Sequence, residues 1–188
     1  MLSAVLGEAF ENDPVMRWLF PRDNGRRESV SRLFAAFTNY HHLAHGGVDV
    51  AVDINQAIGG TALWDPPGRW RQSRGSTWRM KPAWIRALGL RSRAANDLYN
   101  ALDAVHPDEP HWYLAAIGTA APVRGAGYAK KLLHSRLDRC DRERHAAYLE
   151  SSNVANIPYY EVFGFAVSHE IVVPHGCPSL YGMWRLPR

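Results

Sequence analysis

Residues 124–129 read Arg124-Gly125-Ala126-Gly127-Tyr128-Ala129, a short run between an apolar stretch and a helical pattern. Glycine lets the backbone curl so that successive N–H groups point into one concavity, and a helix that starts there adds the positive end of its dipole. Such a cradle suits a diphosphate. Two established phosphate loops do not match. The P-loop ends in Gly-Lys-Ser/Thr, whereas Tyr128 and Ala129 follow the last glycine here. The dinucleotide fingerprint needs a small residue three positions beyond its second glycine, and an acidic one further on; Lys130 occupies the first of those positions. By itself the run is weak evidence, since a turn that only opens a helix is the plainer alternative.

Other chemically able residues cluster less tellingly. His41, His42 and His45 invite a metal, but no acidic residue or cysteine lies at ligand spacing, so none is expected. Cys140 and Cys177 are too few to staple the chain, which points to a reducing cytoplasm. Arg69, Arg71, Arg74 and Arg79 are interleaved with Trp70 and Trp78. That mixture serves nucleic acid, a cleft for an anionic ligand, or a solvated basic face. No nucleic-acid motif accompanies it, so no nucleic-acid partner is expected. The net charge is only +4, an excess that a ligand with several phosphates explains. No apolar run of about 18 residues occurs, and the first residues lack the basic and apolar regions of a secretory signal. Neither a membrane partner nor export is expected.

Periodicity and chain breakers outline the elements that must hold these residues in place. Residues 2–10 look helical, and Asp13-Pro14 interrupts them. Over 28–44, Val30, Leu33, Phe34, Phe37 and Tyr40 recur at helical spacing until Gly46-Gly47. Val48, Val50 and Val52 alternate as a half-buried strand, and 57–64 returns as its hairpin partner. Asp65-Pro66-Pro67-Gly68 breaks regular structure, and 77–105 is helical in two pieces parted near Gly89. The apolar run 111–118 is a buried strand, 128–144 a helix, 146–150 a strand, 154–162 a short helix, and 165–173 with 180–186 two closing strands. One α/β domain spanning residues 1–188 with a mixed sheet fits this order.

Residues 124–129 resemble the Gln/Arg-x-x-Gly-x-Gly/Ala signature of the GCN5-related N-acetyltransferase (GNAT) superfamily, with strand and helix on the expected sides. Downstream, Asn156, Tyr160 and Gly164-Phe165 match that family's Asn-x-x-x-Tyr-x-x-x-Gly-Phe block. Within the superfamily, Glu109-Pro110-His111-Trp112-Tyr113-Leu114, Tyr148-Leu149-Glu150-Ser151-Ser152, Met183-Trp184-Arg185 and Asp13-Pro14 resemble puromycin N-acetyltransferase-like members. The likeness is specific only after about residue 109, so it does not carry the antibiotic over as substrate. Two departures stand out. The stretch Gly118-Thr119-Ala120-Ala121-Pro122 lacks the usual valine and proline position, and no strand precedes the first helix.

What the resemblance implies is a central mixed sheet splayed into a V near Ala116, helices on both faces, and acetyl-CoA wedged into the V as the acyl donor. The pyrophosphate then lies on Arg124, Gly125, Ala126, Gly127, Tyr128 and Ala129. The thioester lies beside residues 115–117, with Ala116, Ile117, Gly118 and Thr119 along the cofactor and Asn156 on the pantetheine arm. Tyr160 is the candidate acid, because a phenol is protonated at neutral pH and can approach the departing sulfur. Glu150 and His111 are the candidate bases, each with a plainer alternative: a helix cap for Glu150, a strand-edge surface residue for His111. Trp64, Trp70, Trp78 and Trp84 are candidate walls of the acceptor pocket, and Asp13 and Asp65 candidate anchors for an ammonium. The expected reaction is acetyl transfer to a primary amine of a small molecule. A non-catalytic acyl-CoA sensor and a protein-lysine acetyltransferase are the alternatives. Without the family's first strand, the 48–52 strand needs cover from another segment, an upstream extension or a second copy of the chain; a homodimer is the favoured expectation.

Overall fold

The computed structural model describes residues 1–71 and 74–188, and the side chains of residues 74, 76, 77 and 79 fall outside that description. The side chains of Arg74 and Arg79 in the arginine–tryptophan cluster lie among these. Two helices open the chain, α1 (Leu2–Phe10) and α2 (Pro14–Leu19). The sequence reading missed α2, taking Asp13-Pro14 only as a break. Asp13 in fact caps it: its Oδ1 accepts from the Val15 and Met16 amides, each at 3.0 Å, and Pro14 sits in the first turn where no N–H is required. Helix α3 (Arg26–Tyr40) turns Val30, Leu33 and Phe34 inward. It ends before the expected residue 44 because His42–His45 tightens into a 3-10 turn that closes on Gly46.

The hairpin of β1 (Val48–Val52) and β2 (Ile58–Asp65) follows, with the Asp53 carboxylate holding the turn through the Asn55 and Ala57 amides. Helices α4 (Arg74–Leu88) and α5 (Ser92–Val105) part at a 3-10 turn over Gly89–Arg91, as the Gly89 break predicts. Then come β3 (His111–Thr119), α6 (Tyr128–Glu143), β4 (Ala146–Ser151), α7 (Ile157–Glu161), β5 (Ala166–Ile171) and β6 (Leu180–Arg185).

These strands form one six-stranded mixed sheet in the order β1-β2-β3-β4-β6-β5. Only β3 and β4 run parallel, with α6 as the crossover. Helix α6 packs on one face over Trp64, Trp112, Leu114 and Leu149, while α1, α3 and α4 cover Leu63 and Ala116 on the other. Leu133, fully buried on the inner face of α6, is a position where truncation to alanine would cost about 2–5 kcal/mol. Bidentate ion pairs anchor α6 at its middle and near its C-terminal end: Arg136 grips Asp49 of β1 at 2.6 and 3.0 Å, and Arg185 of β6 grips Asp141 at 2.7 and 2.8 Å.

Two irregularities open and shape the sheet. The β3–β4 ladder runs only from His111 to Leu114. Beyond it, β3 stays with β2 as far as Thr119, while β4 stays with β6, Glu150 opposite Gly182. The sheet is therefore open as a V from Ala115 onward. The β2–β3 register also steps from Leu63↔Ala116 to Trp64↔Leu114, which leaves Ala115 as a bulge. Side-chain alternation shifts across it, so Leu114 and Ile117 share the α6 face while Ala115 and Ala116 share the other. At the end of the sheet, the outer edge of β1 pairs with no strand among the described residues, and Val50 and Val52 are exposed there.

Candidate active site

The opening of the V continues into a cleft of about 490 Å³. Its floor is β3 from Leu114 to Ile117, one wall is Glu150 to Asn153 with Asn156 and Tyr160, and the other wall comes from α1–α5. Ala116, Ile117, Asn156 and Tyr160 thus meet in one place. Gly118 and Thr119 do not line this cleft; Gly118 lies against α1, where an added Cβ would stand 2.7 Å from the Ala9 Cβ. Residues 124–129 form a loop beyond the cleft. Gly125 and Gly127 take left-handed φ of 84° and 83°, with open space where a Cβ would be. Gly127 caps α6 without a side-chain bond, and the Gly125, Gly127, Tyr128 and Ala129 amides have no backbone partner among the described residues. Unpaired amides around an open hollow at a helix start fit an anionic pyrophosphate.

Tyr160 projects from α7 between Tyr159 and Phe165, at ring distances of 5.7 and 6.2 Å. Burial, with smaller contributions from Tyr159 and Asp13, pushes its phenol above the ordinary tyrosine range. It is therefore protonated at neutral pH.

The two candidate bases are joined by a residue the sequence reading passed over. Glu150 is buried, and Tyr113 donates a short hydrogen bond to its Oε2. Its other oxygen, Oε1, has no hydrogen bond but lies 3.3 Å from Nδ1 of His106. His106 Nε2 is in turn 3.0 Å from His111 Nε2, and Trp70 stacks on the His106 ring at 3.6 Å. Proton positions follow from the acceptor at the far end. His111 Nδ1 is 2.6 Å from the Glu109 carbonyl, which can only accept, so Nδ1 carries a proton. Burial depresses the His111 pKa and keeps the ring neutral, against partial compensation by that carbonyl. Its Nε2 lone pair then requires the N–H of His106 Nε2. The pair His106 Nδ1 and Glu150 Oε1 is left able to take up one proton.

His106 reaches the cleft and His111 does not. His111 is buried at 2% exposure, which corrects its reading as a surface residue at a strand edge. Glu150 caps nothing: the Asn153 side chain caps the next turn by accepting from the Ala155 amide at 3.0 Å. His106 follows α5 just before Pro107, and no spacing signal distinguishes it in the sequence.

The acceptor-side candidates divide. Trp70 and Trp84 line the cleft, Trp64 is core beneath α6, and Trp78 is exposed with the Lys81 ammonium over its ring. Asp13 spends Oδ1 on α2 and accepts from the Ser152 hydroxyl at Oδ2, clamping α2 to the end of β4. His41 and His42 do have an acidic neighbour, contrary to the sequence reading, because the hairpin carries Asp65 to them. Asp65 Oδ1 is 3.0 Å from His41 Nε2 and 2.9 Å from His42 Nδ1. These three ligand-capable groups converge, yet His42 Nδ1 also lies 3.3 Å from the Trp64 carbonyl. That contact requires an N–H, so the arrangement is a hydrogen-bonded one. Asp13, Asp65, Asp103 and Glu150 all line the cleft, and no lysine or arginine does among the described residues. The cleft favours a cation. Among the described residues no helix is long and apolar enough to cross a membrane.

Comparison with known proteins gives the same picture. The model of the acetyltransferase (GNAT) family matches residues 13–165. An uncharacterised N-acetyltransferase of Schizosaccharomyces pombe is 30% identical over 180 residues, covering 90% of this chain and 71% of the relative. The crystal structure of a Corynebacterium glutamicum protein described as histone acetyltransferase HPA2 and related acetyltransferase superposes with a TM-score of 0.76 at 27% identity, over 100% of this chain and 90% of that one. Arylalkylamine N-acetyltransferase 2 of Aedes aegypti shares the fold at a TM-score of 0.61 and 15% identity, over 100% and 93% of the two chains. A family that uses acetyl-CoA, a sheet parted in a V and a loop of unpaired amides converge on one conclusion: the chain belongs to the acetyltransferase (GNAT) family and is an acetyltransferase.

Proposed function

We propose that the protein transfers the acetyl group of acetyl-CoA to a primary amine of a small molecule held in the cleft. The observation that carries this reading is the parting of β3 from β4, with Glu150 and Tyr160 both on the cleft that it opens. The pyrophosphate fits the amides of residues 124–129, and Asn156 is available to the pantetheine arm. Past Leu114, residues 115–117 have no strand partner on the β4 side, so their backbone is free to polarise the thioester carbonyl.

The incoming ammonium gives one proton to the Glu150–His106 pair. Its nitrogen then attacks the carbonyl carbon; the C–N bond forms and the C–S bond breaks. Tyr160 protonates the departing sulfur and is restored by the second proton of the attacking nitrogen. One proton is released overall. Holding both substrates in one cleft replaces a bimolecular encounter by a positioned one.

A sensor that only binds acyl-CoA has no use for a proton-accepting pair beside a protonated phenol. The enclosure of the acidic groups between the sheet and α1–α5 supports a small acceptor over a protein lysine. The resemblance to puromycin N-acetyltransferase-like members rests on strands around the donor, so we do not extend it to the acceptor. Release of free thiol from acetyl-CoA in the presence of an amine panel tests the reading. Amine-dependent thiol release with an acetylated amine as product is expected; CoA binding without turnover on any primary amine would contradict it.

A further inference from the structure

Acetyl transfer employs Glu150 and leaves another cleft carboxylate, Asp65, without a task. Asp65 is 2% exposed, with Oδ1 between His41 and His42, and Oδ2 accepts no hydrogen bond among the described residues. Burial works to raise its pKa, but the contacts with His41 and His42 outweigh it and hold the carboxyl below the ordinary value. His41, 3% exposed, brings its Nε2 to 3.0 Å from Oδ1. A carboxylate 2% exposed, with one oxygen that accepts no hydrogen bond among the described residues, thus stands on a cleft with no described lysine or arginine. A desolvated carboxylate oxygen calls for a donor.

The sheet fixes how far this group stands from the chemistry. Asp65 pairs with Tyr113 across β2–β3, and Tyr113 pairs with Tyr148 across β3–β4. Glu150 is two residues along β4 from Tyr148, hence on the same face. Tyr113, which donates to Glu150, stands between the two carboxylates. Strand spacing and rise set the Asp65 and Glu150 Cα atoms roughly 12 Å apart. After allowing for both side chains and a hydrogen bond at each end, two ammonium nitrogens roughly 5–8 Å apart fill the gap.

We propose that the acceptor is a short α,ω-diamine, or the aminoalkyl end of a polyamine. One amine lies at Glu150 for acetylation. The other lies on Asp65 Oδ2. This assignment rests on the acetyl-transfer reading. A monoamine of equal length would leave Asp65 Oδ2 desolvated and without a donor, and the site would discriminate against it by roughly 10–100-fold.

Isothermal titration of the CoA-loaded protein with putrescine and with n-butylamine tests this directly. Putrescine is expected to bind at least about tenfold tighter, and Asp65→Asn to remove that preference. Equal binding of the two amines, or a preference that survives in folded Asp65→Asn protein, overturns the proposal. Should that variant fail to fold, the comparison in the unsubstituted protein decides alone. Turnover with acetyl-CoA separates the two levels of inference. Diamine-selective binding without thiol release leaves the Asp65 subsite standing and overturns acetyl transfer, whereas transfer to both amines with equal kcat/KM overturns the subsite alone.

Discussion

On the proposed donor side of the cleft the protein offers mostly backbone: the amides of residues 124–129 and the β3 edge beyond Leu114. On the acceptor side it offers side chains from distant segments, with His41 before a 3-10 turn, Asp65 at the end of β2, His106 after α5 and Glu150 on β4. A cofactor common to a whole family is served by groups every residue carries, set by φ angles that glycine tolerates. An acceptor particular to one protein is served by titratable groups whose partners are fixed only when the sheet assembles. The two sides should therefore fail differently when altered.

The largest effect is expected where the sides meet. Tyr160→Phe removes the proton donor and keeps the ring packing, so kcat should fall by roughly 10²–10⁴-fold with little change in CoA affinity; full activity in steady-state assays would make Tyr160 a packing residue only. Gly127→Asp should do the reverse. It forces a side chain into left-handed backbone and brings a carboxylate to the cradle, and CoA affinity measured by titration should drop roughly 100-fold, with the amine side untouched. Unchanged CoA affinity in folded protein would remove residues 124–129 from the cofactor site.

A smaller effect is expected at His106. His106→Gln should slow turnover roughly tenfold, because Oε1 of Glu150 no longer faces an imidazole nitrogen that can hold a proton from the amine. Unchanged turnover in steady-state assays would reduce His106 to a packing role. The smallest effect concerns stability. Above 6.5, the ordinary histidine value, His111 is neutral both folded and unfolded. As the pH falls from there toward the depressed folded value, only the unfolded state gains the proton, so stability falls with falling pH. Thermal melts should show this loss, and His111→Asn should flatten it; an unchanged slope would mean that His111 does not carry it.

The same contrast explains what could be read in advance. The glycine spacing at 125 and 127, the apolar run that became β3 and the helical spacing of Leu132, Leu133 and Leu137 are local, and these local signals outline the elements of the proposed donor side. The V near Ala116 and the helices on both faces came with the family resemblance rather than with any periodicity, and the strand order was in neither. Helix α2 was lost because Asp13-Pro14 reads as a breaker until its cap bonds are seen. The partnership of His41 and His42 with Asp65 spans 23 residues and depends on the hairpin register. The link from Glu150 through His106 to His111 depends on a loop that returns α5 to the sheet, so His106 carried no signal, and His111 was credited with a place on the cleft that its neighbour holds.

The central claim is that chemistry takes place where β3 and β4 part. A crystal structure with CoA bound tests it most directly. The account predicts the pyrophosphate on the amides of residues 124–129, the pantetheine arm passing Asn156, and the thiol between Ala116 and Tyr160, facing Glu150. A pyrophosphate held away from Gly125 and Gly127, or a thiol outside the V, would contradict it.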